Sequence, residues 1–384
     1  MALTLAKINL VPRASRVRLQ ARQACCTSAA SAASSSALLE LPVLAFPNKD
    51  ATTDERTTFA RSLVRTAHEI GFFYLAVDDD DGVRARVLES TLEFFALPLE
   101  EKLESDYRQS PAFRGYMRDG VENTAGNPDR REQIEFGVEA HARELESTSE
   151  FYERLIGPNV WPPNPKTLRR DVEAFLAHMD FVSREVMKYL AIGLELEAQY
   201  FDATFGDSPN VQMKICKYPP TSHEEFGVGA HTDSGYLSLL LQDDVGGLQV
   251  KISDEWIDAP PIPGTLVVNL GEMLQLATSG YLLATPHRVK NCSDQARYSV
   301  PYFFNPRLDF SVSPIDLAPG LVWRRPRPSI EAVRATDSHG VAANSLISCY
   351  GANAFKSLAR SHPDVMKRHH SDLIVQPDGR IVRR

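Results

Sequence analysis

The chain has 384 residues with 42 Lys plus Arg against 50 Asp plus Glu, a formal net charge of −8, and so lacks the basic footprint of a nucleic-acid-binding protein. With 43% hydrophobic residues, 21 Gly and 25 Pro, its composition is globular, which excludes collagen-like, disordered and coiled-coil classes. No apolar run approaches the roughly 18 to 20 residues that span a bilayer, and the five Cys form no C-x-x-C pair for a disulfide, zinc or redox scaffold, so neither nucleic acid nor membrane is expected as a partner.

Residues 1–39 carry Lys7, Arg13, Arg16, Arg18 and Arg22, no acidic residue, and a Ser/Ala-rich run before Glu40. This composition predicts a mitochondrial or plastid transit peptide, with a disordered leader in a cytoplasmic protein as the alternative. From position 40 onward, 37 basic residues face 50 acidic ones, a net charge of −13. Leu41 to Ala45 reads as a short strand. The stretch from Thr57 places Phe59, Leu63, Val64, Ala67 and Ile70 at helical intervals until Gly71. A strand over Phe72 to Val77 and a helix over Val83 to Phe95 follow, the helix ending before Pro98. Asp78 to Asp81 is expected to be a solvated loop. Apolar residues from Val172 to Leu190 mark the longest amphipathic helix, over Asp171 to Gly193.

Around Val211 the texture changes to short β-rich runs. These cover Val211 to Tyr218, Tyr236 to Gln242, Gly247 to Ile252, Thr265 to Leu270, His287 to Val289 and Tyr298 to Phe304, separated by Gly/Pro/Asp turns. Such spacing predicts a sandwich or jelly roll. A helical tail is expected from about Ser329, with His362, His369 and His370 on a solvated basic helix and His223 and His339 in loops.

One group of residues in the β-rich half points to chemistry. In His231-Thr232-Asp233 the imidazole and carboxylate stand two apart, which on a strand aims both at one point. Such a triplet arises by chance roughly once in a chain of this size, so it needs company. His287 follows after a strand and a helical turn, and two His with one carboxylate form the facial triad that leaves three positions of an octahedral Fe(II) open. Arg297 and Ser299 repeat the two-residue spacing, and a guanidinium fork with a hydroxyl beside it suits a carboxylate.

The chain from Leu41 to His370 resembles the isopenicillin N synthase-like family of Fe(II)- and 2-oxoglutarate-dependent dioxygenases. The likeness rests on GFFYLAV (71–77), FFALPLEEK (94–102), FRGYMRDGVE (113–122), REQIEFG (131–137), GAHTDSGYLSLLLQDDVGGLQV (229–250), VVNLGEMLQLATSG (267–280), PHRVKN (286–291) and RYSVPYFFNP (297–306). The resemblance implies an α+β protein of mainly β core, a double-stranded β-helix or jelly roll. An N-terminal α/β region over 40–205 would precede the core over 206–310, and a C-terminal extension over 311–384 would follow it. It implies Fe(II) on His231, Asp233 and His287, and 2-oxoglutarate on Arg297, Ser299 and Tyr218. O2 is then consumed in oxidative decarboxylation, and a small organic substrate is hydroxylated or desaturated as succinate and CO2 leave. Where relatives carry N-x-Y-P, this chain has Cys216-Lys217-Tyr218-Pro219; an inert buried Cys216 is expected. Phe303, Arg114 and Tyr116 are the candidate substrate contacts. The alternatives are an iron oxidase that uses no 2-oxoglutarate, a non-catalytic binding protein on the same fold, and a zinc hydrolase, which here lacks a placed general base.

Overall fold

A computed structural model describes residues 40–384 except positions 80, 125, 126, 145, 147, 292, 323–346, 377 and 378. The leader, His339 and the expected helix start at Ser329 lie outside the described residues. The first half supplies β1 (Val43–Ala45), α1 (Thr53–Glu69), β2 (Phe72–Ala76), α2 (Val83–Ala96), α3 (Leu99–Lys102), β3 (Gly115–Met117), β4 (Asn123–Thr124), β5 (Asn127–Pro128), β6 (Glu132–Gly137), α4 (Leu168–Gly193) and α5 (Asp202–Phe205). Helix α1 starts earlier than its apolar stripe. The Thr52 hydroxyl accepts from the Glu55 amide while the Glu55 carboxylate accepts from the Thr52 amide, a capping box written in the sequence as T-x-x-E. It stops at Gly71, whose φ of +76° lets its amide turn back to the Thr66 carbonyl.

The second half supplies β7 (Asn210–Tyr218), β8 (Glu225–His231), β9 (Leu237–Gln242), β10 (Leu248–Ile252), β11 (Glu255–Asp258), β12 (Thr265–Leu270), α6 (Glu272–Ala277), β13 (His287–Asn291) and β14 (Arg297–Asn305). The tail contains α7 (Pro319–Val322), α8 (Tyr350–Ser361), α9 (Pro363–His369), β15 (Leu373–Val375) and β16 (Ile381–Arg383). The chain therefore ends in an antiparallel hairpin, not in helix. His362 and His370 are buried, at 1% and 2% exposure. Docking explains both: the tail packs Phe355, Val365, Met366 and Leu373 against Tyr107, Phe113, Met117 and Leu155 in a second core that the sequence pattern of the tail alone does not reveal.

Two sheets face each other in the jelly roll. The larger has the order β1-β2-β12-β9-β14-β7-β6-β3 and the smaller β11-β10-β13-β8. Residues 40–205 thus contribute β1, β2, β3 and β6 to the same sheet as the core strands, and the described residues from Glu40 onward pack as one unit. On the outer face of the larger sheet, Ile134, Phe136, Met213, Ile215, Leu239, Val300, Tyr302 and Phe304 join Val172, Phe175, Met179 and Val186 of α4 in the main core. Alternation along each strand turns the intervening residues inward, toward the smaller sheet. No helix among the described residues is long and apolar enough to cross a membrane.

Candidate active site

Three side chains converge where the sheets meet. His231, the last residue of β8, is paired in register with His287, the first of β13, so antiparallel pairing puts both imidazoles on one face with ring centroids 4.2 Å apart. Asp233 lies two residues beyond the end of β8, off the strand on which it was expected. Its direction is imposed by neighbours. Oδ2 accepts from Ser238 Oγ of β9 at 2.6 Å and from Asn269 Nδ2 of β12 at 2.7 Å, which leaves Oδ1 at 3.8 Å from His231 Nε2 and 3.9 Å from His287 Nε2. Each imidazole uses Nδ1 on a carbonyl, Gly229 O at 2.9 Å and Thr285 O at 3.2 Å, so Nδ1 carries the proton and Nε2 presents a lone pair. Burial and the neighbouring His231 push the His287 pKa down to about 4, which keeps that ring neutral. Burial raises the Asp233 carboxyl, but the imidazoles and the Asn269 and Ser238 donors more than offset it, and the carboxylate stays charged. These three donor atoms lie within 4.8 Å of one another and form the metal-capable cluster found among the described residues. Two imidazoles with one carboxylate match a divalent transition metal such as Fe(II).

Arg297, Ser299 and Tyr218 also come together. Arg297 and Tyr218 are register partners on β14 and β7, and the guanidinium lies 4.9 Å above the Tyr218 ring. It donates to Ser299 Oγ at 3.2 Å and to Gln242 Oε1 at 2.9 Å, while Nε is buried without a partner. Both amide atoms of buried Asn291 are likewise unpartnered. Asn291 lies beside Tyr218: a Cβ on Gly227 would sit 2.4 Å from Tyr218 Cδ1 and 3.1 Å from Asn291 Oδ1, which is why that strand position is glycine. A buried cation with an open donor fits the distal carboxylate of a small dicarboxylic acid. Gln242 and Asn291 escaped sequence reasoning. Gln242 could have been found from β-pairing, since it stands opposite Ser299. Nothing local marks Asn291.

A cavity of about 280 Å³ is lined by His231 and Asp233 together with Phe303, Gln212, Glu122, Lys214 and His362, while Arg297 is not among its lining residues. Phe303 lines it, as the sequence suggested. Arg114 reaches its wall, but as a brace, donating to the carbonyls of Val138, Leu155 and Gly157 and to Asn159 Oδ1; burial lowers its pKa to about 10. Tyr116 is not among the lining residues. Its register partner is Ile134, so it turns to the outer face, where its hydroxyl donates to Glu132 at 2.6 Å. Cys216 is fully buried, opposite Ser299, and burial pushes its thiol pKa up, which makes it a poor nucleophile. Asn269, on β12, orients Asp233.

Residues 209–306 match the model described as "2OG-Fe(II) oxygenase superfamily", and residues 41–164 match "non-haem dioxygenase in morphine synthesis N-terminal". The chain is 35% identical over 271 residues to a homoarginine-6-hydroxylase of Glycine max, covering 67% of this chain and 80% of that protein. It is 33% identical over 328 residues to a 2-oxoglutarate-dependent dioxygenase of Dothideomycetidae sp. (strain 11243), covering 81% and 87%. A crystal structure of a Neurospora crassa protein with alpha-KG and thymine superposes with a TM-score of 0.61 at 29% identity, covering 73% of this chain and 89% of that one.

Proposed function

This chain belongs to the 2OG-Fe(II) oxygenase superfamily, and we propose that His231, Asp233 and His287 hold its iron while Arg297, with Ser299, Gln242 and the Tyr218 ring, holds the distal carboxylate of 2-oxoglutarate. It is an Fe(II)- and 2-oxoglutarate-dependent dioxygenase that consumes O2, acts on a small organic molecule and releases succinate and CO2. Bound iron supplies the oxygen chemistry, coupling decarboxylation of 2-oxoglutarate to oxidation of a substrate C–H bond. The chain's own residues supply position and dryness. The Gly229 and Thr285 carbonyls fix the imidazole tautomers, Ser238 and Asn269 turn one carboxylate oxygen toward both rings, and Phe72 covers His287 with ring centroids 5.1 Å apart.

The prime substrate is small and polar. The observation that carries this is the set of charged and polar residues on the cavity wall, Glu122, Glu135, Lys214, Arg131 and Gln212, beside its apolar lining. Relatives named for homoarginine and crystallised with thymine take polar nitrogen compounds as well. Anaerobic loading with Fe(II) and 2-oxoglutarate, followed by O2, should yield succinate. His231→Ala should lower that yield by about three orders of magnitude or more. Arg297→Leu should raise the KM for 2-oxoglutarate about 100-fold, matching about 3 kcal/mol for a buried charge-assisted contact. Oxygen uptake with no succinate would defeat this reading.

Residues 1–39 are proposed to address the protein to a mitochondrion or plastid, on their five positive charges and lack of acids. A fluorescent fusion of these residues that stays cytoplasmic would refute it.

A further inference from the structure

We infer that the prime substrate is a neutral compound presenting an amide-type edge, an N–H beside a C=O, and that His362 and Arg131 read that edge. The inference rests on the dioxygenase reading above. Each charge of this wall already has a partner on it, three carboxylates against two cations. Lys214 Nζ lies 3.0 Å from Glu122 and 2.8 Å from Glu135, and an Arg131 terminal nitrogen lies 2.5 Å from Glu122 and 3.1 Å from Asp129. Glu135 also accepts from Gln133 at 2.7 Å and Gln212 at 2.6 Å. A substrate carboxylate would add to this excess of carboxylates, and an ammonium would have to compete with Lys214 and Arg131 for them in a buried site, which is costly.

Two buried polar atoms of this wall have no partner among the described residues: His362 Nε2 and Arg131 Nε. His362 Nδ1 lies 3.1 Å from the Leu358 carbonyl, so in the neutral ring Nδ1 donates there and Nε2 is left as an acceptor. It faces Glu122 Oε1 at 3.9 Å, a second acceptor, so the space between them suits a donor. Arg131 Nε can only donate. Both residues line the same cavity as His231 and Asp233. An unmet donor and an unmet acceptor in a dry site each cost free energy until a ligand meets them, and one neutral group carries both complements, the amide, lactam, imide or urea unit. His362 lies between α8 and α9, outside both segments matched by family models, so it belongs to the part of the chain those models do not describe.

The test uses the full-length enzyme with Fe(II), 2-oxoglutarate and O2. Three size-matched panels are compared, namely neutral amides, lactams and imides, then primary amines, then carboxylates, each scored as succinate release above the substrate-free rate. The neutral amide panel should give the strongest stimulation. With its best member, His362→Phe should raise KM about tenfold or more, the worth of one lost hydrogen bond in a dry site. Its kcat should stay within about twofold, and His362→Gln, whose side-chain carbonyl can accept, should recover most of the loss. Strongest stimulation by amines or carboxylates, no stimulation by the amide panel, or an unchanged KM in a folded His362→Phe overturns the inference. If His362→Phe does not fold, the panels and His362→Gln still decide. Substrate-free succinate release reports separately on the dioxygenase reading, whose failure would abolish it.

Discussion

Two adjacent rows cross the larger sheet and could hardly differ more. One runs Phe73, Val268, Leu239, Tyr302, Met213, Phe136, and every side chain is at most 1% exposed against the helices. The next, one residue along each strand, runs Phe72, Asn269, Ser238, Phe303, Gln212, Gly137 and faces the smaller sheet. The first row stabilises the fold, at about 1.5–3 kcal/mol per buried side chain. The second, together with Lys214, Glu135 and Arg297 on the same face, carries polar groups whose burial costs free energy unless each finds a partner. The strands obey the same pleat on both faces, so the difference lies in use: one face makes the protein fold and the other makes the cavity.

That division can be broken in four ways, the largest effect first. Lys214→Met removes the cation between Glu122 and Glu135 and should destabilise the protein by about 3–5 kcal/mol in urea unfolding, because the partners stay buried; a neutral result would mean that the polar face is better solvated than its burial implies. Met213→Ala, on the apolar row, should cost about 2–5 kcal/mol yet leave the KM for 2-oxoglutarate unchanged, and a shifted KM would merge the two faces. Asn269→Ala should weaken Fe(II) binding about 10- to 100-fold, measured by iron titration, with little change in melting temperature.

The fourth concerns acid. Burial raises the Glu122 carboxyl, but Lys214 and Arg131 pull it well below the usual carboxylate range. A carboxyl with a lowered folded pKa contributes stability above its unfolded value and loses it as pH falls toward the folded one. Stability should therefore decline from about pH 5 downward. The decline should be shallower in Glu122→Gln, read from urea midpoints at several pH values; equal slopes would show that this ion cluster does not govern acid stability.

Much of the site was legible because its chemistry is local. His231-x-Asp233 and Arg297-x-Ser299 each keep two functional groups within three residues, and a pleat of period two says which way they point. The triad survived even though Asp233 lies off the strand, since Ser238 and Asn269 aim it. What could not be read depended on pairing between distant strands. Gln242 reaches Arg297 from β9, and Asn269 reaches Asp233 from β12. Tyr116 was placed on the wrong side because a three-residue strand gives no pattern from which to tell its faces. His362 and His370, read as solvated, are covered because the tail docks on Tyr107, Phe113 and Leu155.

The amino-acid sequence by itself carried the family likeness, through motifs spread from Leu41 to His370, and the strand-rich core, and it marked the three candidate iron ligands and the candidate Arg-Ser carboxylate site. Only the tertiary structure decided which neighbours orient those ligands, that Arg114 braces a wall while Tyr116 lies outside it, and that an internally paired charge network lines the cavity together with His362. The physical reason is range. Periodicity and spacing act over a few residues, whereas Lys214 meets Glu122 across 92 positions and His362 meets it across 240, contacts that exist only once the sheets have paired and the tail has packed against them.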